Sequence, residues 1–438
     1  MKNLIISVLI FFSITEGFPQ ANYCIENRFS ESYYFDSTDI QIDHGVVYGI
    51  SKNYFSNNMD TLKMDVFYPD LGADDLSKRP FIMLIHGGAF LMGARSDMYY
   101  QCMEYTRRGF VVATITYRLG WNCPATNFID VCILCGAQNY NFMTATYCAA
   151  QDGNAAMRYI TSHENDYGID PDYLFIGGES AGAITALHTA FWDQGEANDF
   201  TTWAVGAVGL LDTAGNNLTN SFSIRAVIDN SGAVSLDSVV MNNPAIGVIS
   251  FHDEFDCIVP KSYGQLISCL CSPFYWTAGS EVIYNRLTQQ GNCAEYHQVP
   301  GSIGHVSYPM PLLINQASCF LKRLMCDECP SGYFNETNTP AVCDTLHQEV
   351  GIADLTDPVF EIFPNPANDF ITIHLPDRIN VNEILITDLI GRNIFSKKLD
   401  LYSDQIRIET TSFHIGVYFL NLKNRNDIVA TQKVVIGR

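Results

Sequence analysis

The apolar run Leu174-Phe175-Ile176 leads directly into Gly177-Gly178-Glu179-Ser180-Ala181-Gly182, a G-x-S-x-G turn. The stretch after it, Ala183 to Ala190, reads as a buried helix. Strand, sharp turn and buried helix in direct succession confine the chain to folds in which a core strand hands over to a helix. The turn holds its serine in a strained, exposed conformation, and Gly178 and Gly182 are small where strand and helix pass too closely for a side chain. Ser180 is therefore the candidate nucleophile. The competing reading is a structural Gly-rich turn.

An acyl-transfer site also needs backbone N–H donors where negative charge develops. Pro80 to Ile85 is a continuous apolar run, the pattern of a parallel strand covered on both faces. It ends in His86-Gly87-Gly88-Ala89-Phe90, whose small residues leave amides bare. Gly88 and Ala89 are the candidate oxyanion donors, joined by the N–H of Ala181 immediately after the serine. His86 precedes the nucleophile on another strand and is read as a structural residue that holds this turn.

The acid and base are expected after the serine, in the order Ser, Asp/Glu, His. Ala245 to Phe251 reads as another buried strand, followed by His252-Asp253-Glu254-Phe255-Asp256-Cys257-Ile258-Val259-Pro260. Asp256 is the candidate acid because it lies deepest in this loop, before the apolar restart. Asp253 is the fallback and Glu254 is read as solvated. Glu295 to Val299 reads as the last strand, and Gly301-Ser302-Ile303-Gly304-His305 as the loop beyond it. His305 is the candidate base, whereas His297 alternates within the strand and is read as a core or surface residue.

These motifs resemble those of the α/β-hydrolases, near the carboxylesterases. Gly178-Glu179-Ser180-Ala181-Gly182 is similar to the elbow of type-B carboxylesterases, and His86-Gly87-Gly88-Ala89-Phe90 resembles the oxyanion motif of hormone-sensitive-lipase-like esterases. Val111 to Gly120 is like the strand after the oxyanion turn, and Gln151 to Ile160 like the helix before the elbow strand. The likeness covers roughly residues 45 to 325 and departs in Ala89, where a glycine is commoner. It implies a mostly parallel central sheet with helices, and a serine carboxylic-ester hydrolase using Ser180, His305 and Asp256 with no metal or organic cofactor. Its partner would be an ester substrate of unspecified class. A serine peptidase or amidase is an alternative, though it would usually bring an additional propeller domain. A catalytically silent, carboxylesterase-like binding protein is another.

Length and cysteine usage suit an exported chain. The 438 residues allow two or three domains. Residues 1–21 read as a signal peptide, with Lys2 ahead of an apolar core from Leu4 to Ile14 and cleavage between Gly17 and Ala21. That core is too short for a stable membrane span, and no later segment is long and apolar enough. All 14 cysteines lie between Cys24 and Cys343, an even number expected to form disulfides in an oxidising compartment. Cys132-Ile133-Leu134-Cys135 and Cys326-Asp327-Glu328-Cys329 are both C-x-x-C, each a half zinc site or redox pair as the alternative to disulfides, and no nearby paired histidines complete the first. Cys319 and Cys343 flank the second as disulfide partners. Connectivity is not fixed by the sequence. The formal charge of −22 argues against nucleic acid or an anionic membrane as partner. Residues 349–438 hold nine Lys/Arg against twelve Asp/Glu, so −19 falls on residues 1–348.

Trp121 to Cys148 reads as a long irregular insertion, stapled by Cys123, Cys132, Cys135 and Cys148 and forming either a wall over the site or a decorated surface loop. After Cys343 the character changes again. A polar linker over residues 346–361 separates the hydrolase-like domain (residues 22–345) from a C-terminal domain at 362–438. Short alternating runs at Phe370–Ile373, Glu383–Thr387, Gly416–Leu420 and Gln432–Ile436 suggest a small β-sandwich. Pro364-Asn365-Pro366, Asp388-Leu389-Ile390-Gly391-Arg392, Gly416-Val417-Tyr418 and Lys433-Val434-Val435-Ile436, in this order, resemble the sorting domain of the bacterial type IX secretion system. The resemblance implies export to the cell surface or beyond through that machinery. The competing reading is an accessory carbohydrate-binding sandwich. A monomer is expected.

Overall fold

The computed structural model describes residues 23–25, 27–72, 74–121, 123, 139–242, 245–268, 274–343, 360–375, 382–388, 392–399, 405–424 and 427–437. The expected signal peptide, nearly all of the expected linker, and residues 124–138 of the insertion with Cys132 and Cys135 lie outside them. So does the Leu389-Ile390-Gly391 portion of the tail motif. The chain divides into two compact units, residues 1–345 and 346–438.

The large unit is built on a nine-stranded sheet in the order β1-β2-β4-β3-β5-β6-β8-β11-β12. Its strands are β1 (Ile40–Lys52), β2 (Met59–Pro69), β3 (Arg79–Ile85), β4 (Val111–Ile115), β5 (Ile169–Glu179), β6 (Ile224–Asn230), β8 (Gly247–Asp253), β11 (Ala294–Val299) and β12 (Ser331–Phe334). β1, β2 and β4 pair antiparallel, and every pairing from β4 and β3 onward to β12 is parallel. Every residue of β3, β4 and β8 is buried, as continuous apolar runs in a sheet covered on both faces should be. The cover comes from the helices α1 (Tyr99–Arg107), α2 (Asn139–Ser162), α3 (Ala181–Phe191), α4 (Gln194–Val208), α5 (Ser280–Gln289) and α6 (Met310–Met325). A separate sheet of three short strands, β7 (Ala233–Val234), β10 (Trp276–Gly279) and β9 (Tyr263–Gln265), completes the unit.

The segment expected to be irregular up to Cys148 is helical from Asn139 onward, as the opening of α2. Most of α2 is buried, so tertiary packing sets its extent rather than a cap or polar face. The buried Arg118–Asp152 ion pair ties the exit of β4 to this helix, with Arg118 also donating to the carbonyls of Lys52 and Cys148.

Disulfides join Cys24 to Cys326, Cys293 to Cys329, and Cys319 to Cys343. The second C-x-x-C is thus split between two distant partners, and its flanking cysteines pair with each other. Cys123 and Cys257 are also disulfide-bonded, while Cys102 and Cys148 are buried free thiols. Among the described residues no helix is long and apolar enough to cross a membrane.

The small unit holds a three-stranded sheet of β13 (Glu361–Phe363), β14 (Phe370–His374) and β17 (Gln405–Glu409). A four-stranded sheet follows, from β16 (Asn393–Lys398), β15 (Glu383–Asp388), β18 (Gly416–Asn424) and β19 (Asp427–Ile436). The pairings between these strands are antiparallel, and an isolated parallel bridge joins Ala367 to Ile436. Ile371, Ile373 and Ile408 from one sheet and Ile384, Leu420 and Val434 from the other share one core. Alternate residues supply that core, which is the two-residue period of a sandwich strand.

Candidate active site

Ser180 stands between the end of β5 and the start of α3 with φ 53° and ψ −121°, a left-handed region costly for a residue with a side chain. The surroundings enforce it. Its N–H donates to the Asn230 carbonyl on β6 at 2.9 Å. A Cβ on Gly178 would collide with Gly182 and with the Ile85 carbonyl, and one on Gly182 would meet that same carbonyl. Elbow and helix are therefore packed directly against the end of β3.

The 86–90 turn leaves that end of β3 and passes beside the elbow, so that a Cβ on Gly87 would lie 3.3 Å from Ser180 Cβ. Gly88 has φ 111° and Ala89 φ 53°, which turns the backbone back on itself. Leu91 and Met92 both donate to the Gly88 carbonyl, at 3.0 and 3.1 Å. The N–H groups of Gly88 and Ala89 have no backbone acceptor among the described residues, and that of Ala181 is an unpaired donor of the first turn of α3. The helix N-terminus adds a partial positive charge at the same place. His86 is buried, stacks on Tyr117 at 4.6 Å, and has Nδ1 2.8 Å from the Gly87 carbonyl. Burial pushes its imidazole below the ordinary value, as suits a neutral ring that shapes the turn. A residue not singled out in the sequence reading also holds this turn: Trp121, fully buried, donates Nε1–H to the Ala89 carbonyl at 2.9 Å.

His305 arrives on the loop after β11. Its Nε2 lies 2.7 Å from Ser180 Oγ and its Nδ1 2.6 Å from Asp256 Oδ2. With Nδ1–H donating to the carboxylate, Nε2 is left to accept from the serine hydroxyl. Asp256 Oδ1 accepts from the N–H groups of Ile258 and Val259 at 2.9 and 3.1 Å. Burial works against its charge, but His252 and His305 hold the carboxyl down at about 2. Asp253 is occupied differently: its Oδ2 accepts from the Ser307 N–H at 2.9 Å. Glu254, expected to be solvated, accepts from the Gly301 N–H at 2.6 Å. These two acids stitch the His305 loop to the end of β8 rather than facing the imidazole. His297 is fully buried, stacked on Phe251 and Phe334. Glu179, beside the serine, is raised by burial and by Asp97, with His305 opposing.

A narrow apolar pocket opens on Ser180, lined by Phe90, Phe142, Ile184, Val259, Leu266 and Ile267 among others. The donor types near it suit acid–base and nucleophilic chemistry. Among the described residues the one cluster with metal-ligand atoms in reach of one another is Glu31 with Cys319 and Cys343, and those two sulfurs are bonded to each other.

Residues 24–198 match the model of the carboxylesterase family. The large unit has an α/β-hydrolase fold, a mostly parallel central sheet with helices. Residues 361–437 match the secretion system C-terminal sorting domain. A para-nitrobenzyl esterase of Bacillus subtilis is 31% identical over 127 residues, 29% of this chain and 23% of that one. A probable isoprenylcysteine alpha-carbonyl methylesterase of Oryza sativa is 26% identical over 198 residues, 44% of this chain and 36% of that one. The chain thus aligns with about a quarter to a third of the length of these relatives. Esterase 2 of Thermogutta terrifontis superposes with a TM-score of 0.44 at 18% identity, covering 67% of this chain and 95% of that structure.

Proposed function

We propose that the protein is an exported serine carboxylic-ester hydrolase acting through Ser180, His305 and Asp256. The observation that carries this reading is the unbroken line from Asp256 through His305 to Ser180, with contacts of 2.6 and 2.7 Å. Ser180 Oγ attacks the ester carbonyl as His305 Nε2 takes its proton, and Asp256 keeps the ring in the tautomer this requires. Gly88, Ala89 and Ala181 donate to the oxyanion. His305 then protonates the leaving alcohol, and water hydrolyses the acyl-enzyme with His305 again as base. The narrow apolar pocket beside Ser180 suits a short apolar acyl group. The match of residues 361–437 supports export by the type IX machinery, to the cell surface or outside.

The test is a panel of nitrophenyl esters of graded chain length, feruloyl esters and a peptide anilide. Turnover of short-chain esters with no anilide cleavage is expected. Cleavage of the anilide at a comparable rate would move the assignment to a peptidase, and silence on every substrate to a binding protein.

A further inference from the structure

Asp256 faces a second imidazole. His252 Nε2 lies 3.4 Å from the same Oδ2 that His305 engages, in a pocket with no solvent exposure for the His252 ring. That Nε2 is also 2.8 Å from the Val259 carbonyl, which can only accept, so Nε2 carries a hydrogen. On the other side, His252 Nδ1 is 2.7 Å from Ser280 Oγ, at the start of α5. Ser280 Oγ is in turn 2.6 Å from Asp229 Oδ2, on β6.

Hydrogen accounting along this chain leaves two arrangements. The contacts Nδ1–Oγ and Oγ–Oδ2 each need a hydrogen, and the serine hydroxyl supplies one. The second comes from a doubly protonated His252 facing an ionised Asp229, or from a protonated Asp229 facing a neutral His252. Burial raises the Asp229 carboxyl above its ordinary value, but it already accepts from Ser250 Oγ and from the Gly232 N–H, both at 2.8 Å, and with Ser280 these three donors and the facing His252 oppose that shift and favour the carboxylate. At the other end Nε2–H donates to the Val259 carbonyl with the ionised Asp256 Oδ2 3.4 Å away. Both ends therefore favour the proton on the imidazole.

We infer that His252, Ser280 and Asp229 are positioning residues that hold one buried proton on His252, so that Asp256 is shared between two imidazoles and its pull on His305 is moderated. This rests on the esterase reading of Ser180, His305 and Asp256. Burial pulls His252 down, but Asp256, Asp229 and the Val259 carbonyl more than offset it and hold it above its ordinary value. The charges facing the ring are Asp256 from its own loop and Asp229 from β6. β11 places the neutral Gln298 beside it in register. The other charges of the packed elements are committed elsewhere: Glu281 of α5 to Lys261 and Ser262, and Glu295 of β11 to Arg323 of α6.

The consequence is a base that stays free to lower pH than one facing an undivided carboxylate. Asp229→Asn suits the neutral arrangement, since its amide donates to Ser280 Oγ, whose hydroxyl then donates to His252 Nδ1. Ser280→Ala breaks the chain, and Ser280→Thr keeps its hydroxyl. Asp229→Asn and Ser280→Ala should both move the acidic limb of kcat/KM upward by about half to one pH unit, with kcat at the optimum within a few-fold. Ser280→Thr should return the limb toward wild type. Nitrogen-15 NMR of the histidines, assigned with His252→Gln, should show both nitrogens of His252 protonated at pH 7 and only Nε2 in Asp229→Asn. The spectrum can be taken in Ser180→Ala protein, so it remains decisive if no ester is turned over. A singly protonated His252 at pH 7, or an acidic limb unmoved in both chain-breaking variants, overturns the inference.

Discussion

In the large unit the central strands β3, β4 and β8 are buried on both faces, while in the small unit β17 buries only every second residue. The doubly covered sheet can hold polar and strained groups that a single core of alternating side chains cannot. Ser180 and Ala89 keep positive φ because β3, β5, β6 and α3 leave the backbone no other path. Asp229, His252 and Asp256 are buried there with their hydrogen bonds made. The small unit's core is mostly aliphatic, with Ile371, Ile373, Ile384 and Leu420 joined by Phe360, Phe413 and Tyr418. Chemistry is thus expected to be sensitive to single atoms in one unit and indifferent to the other.

The strongest challenge to that contrast is the loss of one oxygen atom. Ser180→Ala should fold normally and lose on the order of 10⁴- to 10⁶-fold in kcat. Retention of a tenth of the activity would contradict it. Next in size is Asp256→Asn, which preserves shape but can invert the His305 tautomer, at a cost of about 10⁴-fold in kcat. Asp253→Asn should cost no more than roughly tenfold, because this carboxyl anchors the loop at Ser307 rather than the imidazole. A reversal of the two, read as kcat/KM on one activated ester, would transfer the acid's role.

A third test reads stability. His188 is fully buried in α3, with Nδ1 at the Ile184 carbonyl and Nε2 accepting from the Ser235 N–H. Burial pushes it down to about 3. Between the ordinary value of 6.5 and that value, the unfolded chain binds a proton the native one does not. Stability therefore falls as pH drops through this window, by a few kcal/mol at most. The melting temperature should fall more steeply from pH 6.5 to 4 in the wild type than in His188→Gln. Equal slopes would show that His188 is not the group responsible. The smallest expected effect is deletion from about residue 360, which should leave kcat/KM within about twofold, since every residue of the site lies in the large unit. A tenfold loss would show that the units do not act separately.

Much of this was legible where one segment carries its own explanation. Leu174 to Gly182 specifies strand, turn and helix together, and Pro80 to Phe90 does the same for the second turn. Asp256 and His305 were readable as loop residues after buried strands. Trp121 and the His252 chain were not, because their meaning lies in partners far along the sequence: Ala89 for the tryptophan, Ser280 and Asp229 for the histidine. In the tail, the alternating runs of β14, β15, β18 and β19 stood out. β16 did not, since Asn393 to Lys398 is largely exposed and polar, and only its pairing with β15 makes it a strand.

The proposed chemistry requires Ser180 to be an activated nucleophile driven by His305. Labelling with a fluorophosphonate followed by peptide mass spectrometry tests it most directly. One adduct per chain is expected, on the peptide containing Ser180, absent in Ser180→Ala and at least a hundredfold slower to form in His305→Ala. An adduct on a different residue, or none on folded protein that still turns over esters, would contradict it.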